Sequence, residues 1–173
     1  ARARNARLRV NFEIDVGLHR GGFADAATLR AAIDMARAEP SVEICGLMGY
    51  DPHVAKAPDQ AGAYRNAQKL YADAIECLAD AIGADTSALT LNSAGSPTYK
   101  LHAAGTVANE VSVGSAFVKP VDFDLPTLAH HQPAAFIAAP VIKALDRARL
   151  PVLEDLSGVM ALWDPNAARA FFI

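Results

Sequence analysis

The sequence predicts an α/β fold with a parallel sheet that closes toward a (β/α)8 TIM-type barrel, present in this chain only in part. The first sign is period-two patterning near the N-terminus, where Val10, Phe12 and Ile14 alternate with Asn11, Glu13 and Asp15 and so define a strand. The second is the order strand, helix, strand, helix, strand with no hairpin signal between the first three strands, which crossover logic makes parallel. The third is the polar set Asn11, Glu13 and Asp15 on one face of that first strand. A closed sheet has room for inward polar side chains at its mouth, whereas a doubly wound sheet covers both faces with apolar helices.

Each element has its own justification. The first strand, within RVNFEID (9–15), ends near Asp15. Asp25 is an N-cap for a helix running to about Ala38, with Leu29, Ile33 and Ala36 on one face and Pro40 beyond its end. VEICGLM (42–48) is the second strand. A long helix at about 62–82 carries Leu70, Ala74, Cys77, Leu78 and Ala81 on one face and stops at Gly83. ALTL (88–91) reads as the third strand, NEVSVGSAFV (109–118) as a later one and AAFIAA (134–139) as the last clear one, while Phe171, Phe172 and Ile173 look like a strand starting. The Ala/Arg start without Met and that strand-like end are those expected of a segment of a longer protein. Its domain organisation then reads as barrel over 1–150 and a connection toward a further β-domain over 151–173.

Composition narrows the function classes. With 173 residues, 52% of them hydrophobic, 20% charged and a net charge of −3, the chain describes a globular domain with no electrostatic footprint for nucleic acid. No apolar run approaches the roughly 20 residues a bilayer span needs, and Arg and Asn stand where a signal peptide would be apolar. A cytoplasmic protein with neither nucleic-acid nor membrane partner is the expectation. Cys45 and Cys77 lack metal-ligand spacing and read as small hydrophobes rather than a disulfide. No metal ligands are nominated.

If the strands are parallel, three loops emerge on one face, the one where α/β folds build their sites. In the first, EIDVGLHRGG, Gly17, Gly21 and Gly22 bracket Arg20, whose guanidinium suits a carboxylate or a phenolic oxygen, or else pairs with Glu13 or Asp15. His19 beside it reads as exposed. In the second, GLMGYDPHVAK, Tyr50 offers a hydroxyl at the strand end and His53 follows Pro52 in a rigid turn, as a general base or as a turn histidine that only ties the loop. The third, TLNSAGSPTY, gathers Asn92, Ser93, Gly95, Ser96 and Thr98, hydroxyls and freed N–H groups that can surround a phosphate, or form a polar turn. It is neither a Walker loop nor a dinucleotide fingerprint, since the Gly-Lys-Ser/Thr and G-x-G-x-x-G patterns are absent. Gly114 and Ser115 repeat the Gly/Ser pattern at a later strand end.

At these motifs the sequence resembles the pyridoxal-phosphate enzymes of the alanine-racemase barrel type (fold type III), within them the branch of D-threonine aldolases and D-serine dehydratases. FEIDVGLHRGG looks like that branch's E-x-D-x-G-x-x-R-x-G, and CGLMGYDPH is similar to its G-L-x-G-Y-x-G-H, with Pro52 where Gly is usual. LNSAGSPTY matches its phosphate loop in position, and NEVSVGSAFV looks like its E-x-x-x-G-S-Y. The four motifs span roughly residues 8–120.

The resemblance implies an eight-stranded barrel with pyridoxal 5′-phosphate at its mouth. Its phosphate would be held by Asn92, Ser93, Gly95, Ser96, Gly114 and Ser115 with help from Tyr50, Arg20 would lie by the ring or its phenolic oxygen, and His53 near the substrate. Phe117 replaces the family's Tyr, and Ser112 stands near where the racemases place an Arg toward the pyridine nitrogen, which weakens racemisation as the reaction. The family's cofactor-coupling lysine precedes the first motif, where this chain has none, and Lys56, Lys69, Lys100, Lys119 and Lys143 do not match its motif. The implied protein is a lyase for D-β-hydroxy-α-amino acids, acting by retro-aldol cleavage to glycine and an aldehyde or by D-serine-type dehydration. Arg20 and His53 are the catalytic candidates. A divalent metal held by residues outside this chain and a homodimer also follow from the resemblance. The alternatives are a non-catalytic pyridoxal-phosphate-binding barrel, an amino-acid racemase, or an inactive fragment without the lysine.

Overall fold

The computed structural model describes residues 6–145 and 170–172. Its first strand, β1 (Leu8–Ile14), leads into helix α1 (Ala26–Arg37), strand β2 (Val42–Gly49), helix α2 (Gln60–Ile82) and strand β3 (Thr90–Ser93). A two-residue strand, β4 (Glu110–Val111), completes a four-stranded sheet of order β1-β2-β3-β4 in which every pair is parallel. Parallel strands joined by helices are the repeating unit of a β/α barrel, and four of them make a partial one.

The caps explain the helix bounds. The Asp25 carboxylate accepts the Thr28 N–H at 2.8 Å and opens α1; Asp59 accepts the Gly62 N–H at 2.9 Å and opens α2. Gly83, at φ 66°, closes α2 in the left-handed conformation that costs a glycine least. On the inner face of α2 the buried residues are Ala67, Tyr71, Ala74, Leu78 and Ala81. Tyr71, a residue the apolar pattern passes over, is buried because its ring packs where Gly49 has no side chain and its hydroxyl donates to the Asn92 carbonyl at 2.8 Å. Leu70 and Cys77 flank that face half-buried, and both cysteines are free thiols.

Strand register sorts the two sheet faces. Phe12, Leu47 and Leu91 are cross-strand partners facing the helices, and Leu47 is fully buried there. Glu13, Met48, Asn92 and Glu110 form the next row, on the opposite face, where a barrel would have its interior. The alternation read in the first strand therefore separates the two environments. A bulge at Cys45 shifts the β1–β2 register, and Gly46 sits in it at φ 151° with its Cα against the Thr90 carbonyl, where a Cβ would collide.

Three expectations need correction. The third strand begins at Thr90, two residues later than the ALTL run places it. The run 109–118 is extended only at Glu110–Val111, because the N–H groups of Gly114 and Ala116 turn to the Ser96 hydroxyl instead of a ladder, and Ser115–Phe117 curls into a 3-10 turn. AAFIAA forms no strand, since apolar residues there find no neighbouring strand to pair with among the described residues.

The chain divides into two compact units, residues 1–135 and 136–173, and the expected boundary near residue 150 lies outside the described residues. Within the second unit, β5 (Lys143–Leu145) pairs antiparallel with β6 (Ala170–Phe172), so the strand expected at Phe171 and Phe172 is present. Ile173 lies outside the described residues.

Candidate functional site

Because the strands are parallel, β2, β3 and β4 deliver their following residues to one edge of the sheet. There Tyr50, Ala94–Ser96 and Ser112–Ser115, over a floor of Met48, Gly49 and Asn92 with Phe123 at the rim, line a cleft of about 330 Å³. That is the scale of a small-molecule site.

The third loop makes this cleft possible. All of residues 91–98 are buried, an unusual fate for so polar a stretch, and the structure shows what satisfies them. Ala94 adopts φ 69°, turning the chain sharply after β3, and the Thr98 and Tyr99 N–H groups both donate to the Gly95 carbonyl at 3.0 Å. Gly95 lies so close to Tyr50 that a Cβ would fall 2.3 Å from the ring carbon Cε2. The Arg20 guanidinium stands 4.5 Å from the centroid of that ring and pairs with Glu13 at 3.0 Å. Arg20, Tyr50 and Gly95 are thus packed together from three separate loops.

Ser96 ties the third loop to the fourth. Ser96 is 7% exposed, and its hydroxyl oxygen accepts the N–H of Gly114 and of Ala116, each at 3.0 Å. A hydroxyl with both lone pairs engaged still has one proton to donate.

At the floor, hydrogen-bond direction is fixed by an acceptor-only group. The Glu110 carboxylate accepts from Asn92 Nδ2 at 2.8 Å, which orients the amide, and Asn92 Oδ1 then accepts from the Ser112 hydroxyl at 3.0 Å. Ser112 therefore turns lone pairs, not a proton, toward the cleft. Burial, with the Glu110 charge adding to it, holds the Tyr71 phenol well above its usual range, so it remains a donor to the Asn92 carbonyl.

Behind the loop lies a group that sequence reasoning missed in Asp51 and His102, and it draws away Thr98, whose hydroxyl, expected toward a phosphate, does not line the cleft. Asp51, fully buried, accepts from the Thr98 hydroxyl through one oxygen and lies 2.9 Å from His102 Nε2 through the other. Thr98 Oγ1 also accepts the Gly95 N–H at 3.1 Å, and His102 Nδ1 is 2.9 Å from Thr106 Oγ1. The Tyr64 ring stands edge-on to His102 at 5.2 Å. The Thr98/His102 spacing of four and an Asp directly after Tyr50 were the only hints in the sequence.

The candidate residues do not all meet. Tyr50, Asn92, Gly95, Ser96, Gly114 and Ser115 line the cleft, and Arg20 reaches it through the Tyr50 ring. Ser93 does not line it; buried next to the cleft-facing Asn92, it receives the Ser112 N–H on its carbonyl at 3.0 Å. His53 is also outside the lining, on a 3-10 turn (Pro52–Lys56), with Nε2 packed over Gly17 and Nδ1 buried without a partner. None of the five lysines lines the cleft. His19 is 81% exposed, as expected, on a loop that Asp15 clamps through the N–H groups of Gly17 and His19. Among the described residues no group of three or more His, Cys, Asp or Glu could hold a metal, and no helix is long and apolar enough to cross a membrane.

The family model for the alanine racemase N-terminal domain matches residues 1–120. The chain belongs to that family. Its members are pyridoxal-phosphate-dependent enzymes built on a TIM-type barrel. Among solved structures, the chain is similar to D-threonine aldolase from Filomicrobium marinum, at 22% identity over 87% of this chain and 40% of that one, with a TM-score of 0.62. Alanine racemase from Bacillus anthracis with bound L-Ala-P follows at 18% identity, 74% and 32% coverage and a TM-score of 0.58. The alanine racemase of Streptomyces lavendulae matches at 24% identity, 77% and 35% coverage and a TM-score of 0.56. At these identities the likeness concerns the fold, and the chain spans 40% of the aldolase's length. No curated protein sequence matches it.

Proposed function

We propose that this chain supplies the phosphate-binding part of a pyridoxal-phosphate barrel, in a lyase acting on D-β-hydroxy-α-amino acids. The observation that carries the reading is the Gly95 cradle: a buried polar loop held so tightly against Tyr50 that no side chain fits, beside a cleft of matching scale. A glycine lets the loop backbone lie flat against the Tyr50 ring, and the Ser96 hydroxyl, Gly114 and Ser115 along the adjoining cleft are groups that fit a phosphate.

Bound pyridoxal phosphate supplies the electron sink for negative charge at the substrate Cα. The chain's own residues bind and orient. Ser96 donates its remaining proton toward the phosphate, and Tyr50 offers a hydroxyl to it. Arg20, stacked on Tyr50 and paired with Glu13, would act on the cofactor through the Tyr50 ring it holds. Ser112, which presents only lone pairs to the cleft, would favour a protonated pyridine nitrogen over a bare one were that atom beside it. His53, expected near the substrate, lies outside the cleft lining with Nε2 over Gly17, so the β-hydroxyl proton is not assigned to it. The coupling lysine comes, in this reading, from polypeptide outside these residues.

Binding is the first test. Pyridoxal phosphate should bind saturably to the full protein, and Gly95→Ala and Ser96→Ala should each weaken it at least about tenfold. Unchanged affinity in both variants would overturn the site. D-threonine should then yield glycine and an aldehyde, or D-serine should yield ammonia; racemisation of alanine instead would keep the cofactor site and replace the reaction.

A further inference from the structure

Away from the cleft, Tyr99, His130 and His131 bring three donor atoms together. His131 Nε2 lies 2.6 Å and His130 Nε2 3.0 Å from the Tyr99 hydroxyl, with the two imidazole rings 4.5 Å apart between centroids. We propose that these three side chains form a binding site for a late first-row divalent cation, zinc or copper, with a position left open to water. The proposal is independent of the cofactor reading.

The hydrogen bonding motivates it. One phenol has one proton, so it can donate to only one of the two imidazole nitrogens, and the other must give its own N–H to the phenol oxygen. The pair of contacts therefore needs two histidines of opposite tautomer around a single oxygen. A cation accepts all three lone pairs at once. Imidazole and an oxygen donor suit zinc and copper, and three protein ligands with an open fourth position is a common zinc arrangement.

Distance agrees. Metal–nitrogen bonds of about 2.0–2.1 Å in a tetrahedral site place neighbouring donors about 3.4 Å apart, so these contacts need to open by less than about 1 Å to admit the ion. The frame that holds them is fixed. A 3-10 turn (Pro126–Leu128) buries Leu128 completely, and the His131 N–H donates back to the Leu128 carbonyl at 2.9 Å. Tyr99 follows Thr98, which is tied to buried Asp51. Two lysines face the site and oppose a cation there: Lys100 Nζ stands 5.9 Å from the Tyr99 ring centroid, and Lys100 and Lys119 both act on His130, so binding is set by the three donors against that repulsion. A bound ion would brace the 126–131 segment against the end of the cleft loop.

The test is calorimetric titration of the full chain with zinc alone, and separately with copper, followed by thermal unfolding. One ion per chain, a rise in Tm with zinc, and a visible phenolate-to-copper band are expected. His130→Ala and His131→Ala should each lower zinc affinity at least about tenfold, and Tyr99→Phe should remove the visible band. His130 is exposed, so its loss leaves the fold intact; circular dichroism checks this, and His131→Gln serves as the second variant at the half-buried position. Absence of saturable zinc binding, or wild-type affinity in the His130→Ala/His131→Ala double variant, would overturn the site.

Discussion

Residues 8–93 and residues 94–131 are held together in different ways. The first region stacks two long helices on three strands through Leu29, Ile33, Leu47 and Leu78, each at most 1% exposed. The second has no α-helix and one two-residue strand, and its order comes from directed hydrogen bonds converging on its own Ser96 and on Asp51, which the first region lends to it. Apolar burial is non-directional and tolerates small shifts, so it serves as a scaffold. Hydrogen bonds fix individual atoms, which is what a cleft for a small anion requires.

That contrast can be broken at its hub. Asp51→Ala leaves His102 and Thr98 without their buried acceptor and should cost about 3–5 kcal/mol in urea unfolding. A loss below about 1 kcal/mol would mean that the polar region contributes no stability of its own. Leu78→Ala is the matching test of the helical region. It should cost about 2–5 kcal/mol by leaving a cavity, while pyridoxal-phosphate affinity at temperatures below unfolding stays near wild type. If affinity falls in step with stability, the two regions are not separable.

Smaller effects sharpen the comparison. Ser96→Ala strands the Gly114 and Ala116 N–H groups and should cost about 1–3 kcal/mol, with faster hydrogen exchange confined to residues 112–118. Asp25→Asn should matter least, and only through pH. The Thr28 N–H and hydroxyl hold the Asp25 carboxyl below its ordinary range, so its capping contribution is complete above the unfolded pKa and is lost as pH falls through the folded one. The wild type should therefore lose stability on acidification more steeply than Asp25→Asn, as thermal unfolding between pH 6 and acid conditions would show; parallel curves would refute a charged cap.

Legibility in the sequence followed the same division. Asp25, Gly83 and the β1 alternation are local signals, and each appears where the pattern puts it. The parallel order was legible too, as was a polar loop after β3, marked by the run of hydroxyls and glycines at the strand end. What the sequence could not show is which hydroxyl faces the cleft. Ser93 and Ser96 look equivalent on paper, yet pleating buries one beside Asn92 while the turn at Ala94 points the other at Gly114. The run 109–118 reads as a strand because Val111, Val113 and Phe117 are strand formers, and only the capture of two of its N–H groups by Ser96 ends the strand early.

By itself, the sequence determined the βα order, the helix bounds, the separation of polar and apolar sheet faces, and the family. Helix bounds and face separation depend on neighbours within one or two turns of chain, where periodicity and capping act, while the order and the family follow from the succession of elements and of four motifs along the chain. Only the tertiary structure decided that Asp51 would meet His102, that Arg20 would stack on Tyr50, and that Tyr99 would face His130 and His131. Those pairs lie 51, 30 and about 31 residues apart, and no local pattern encodes a contact that exists only once the sheet has brought its loop ends to one edge.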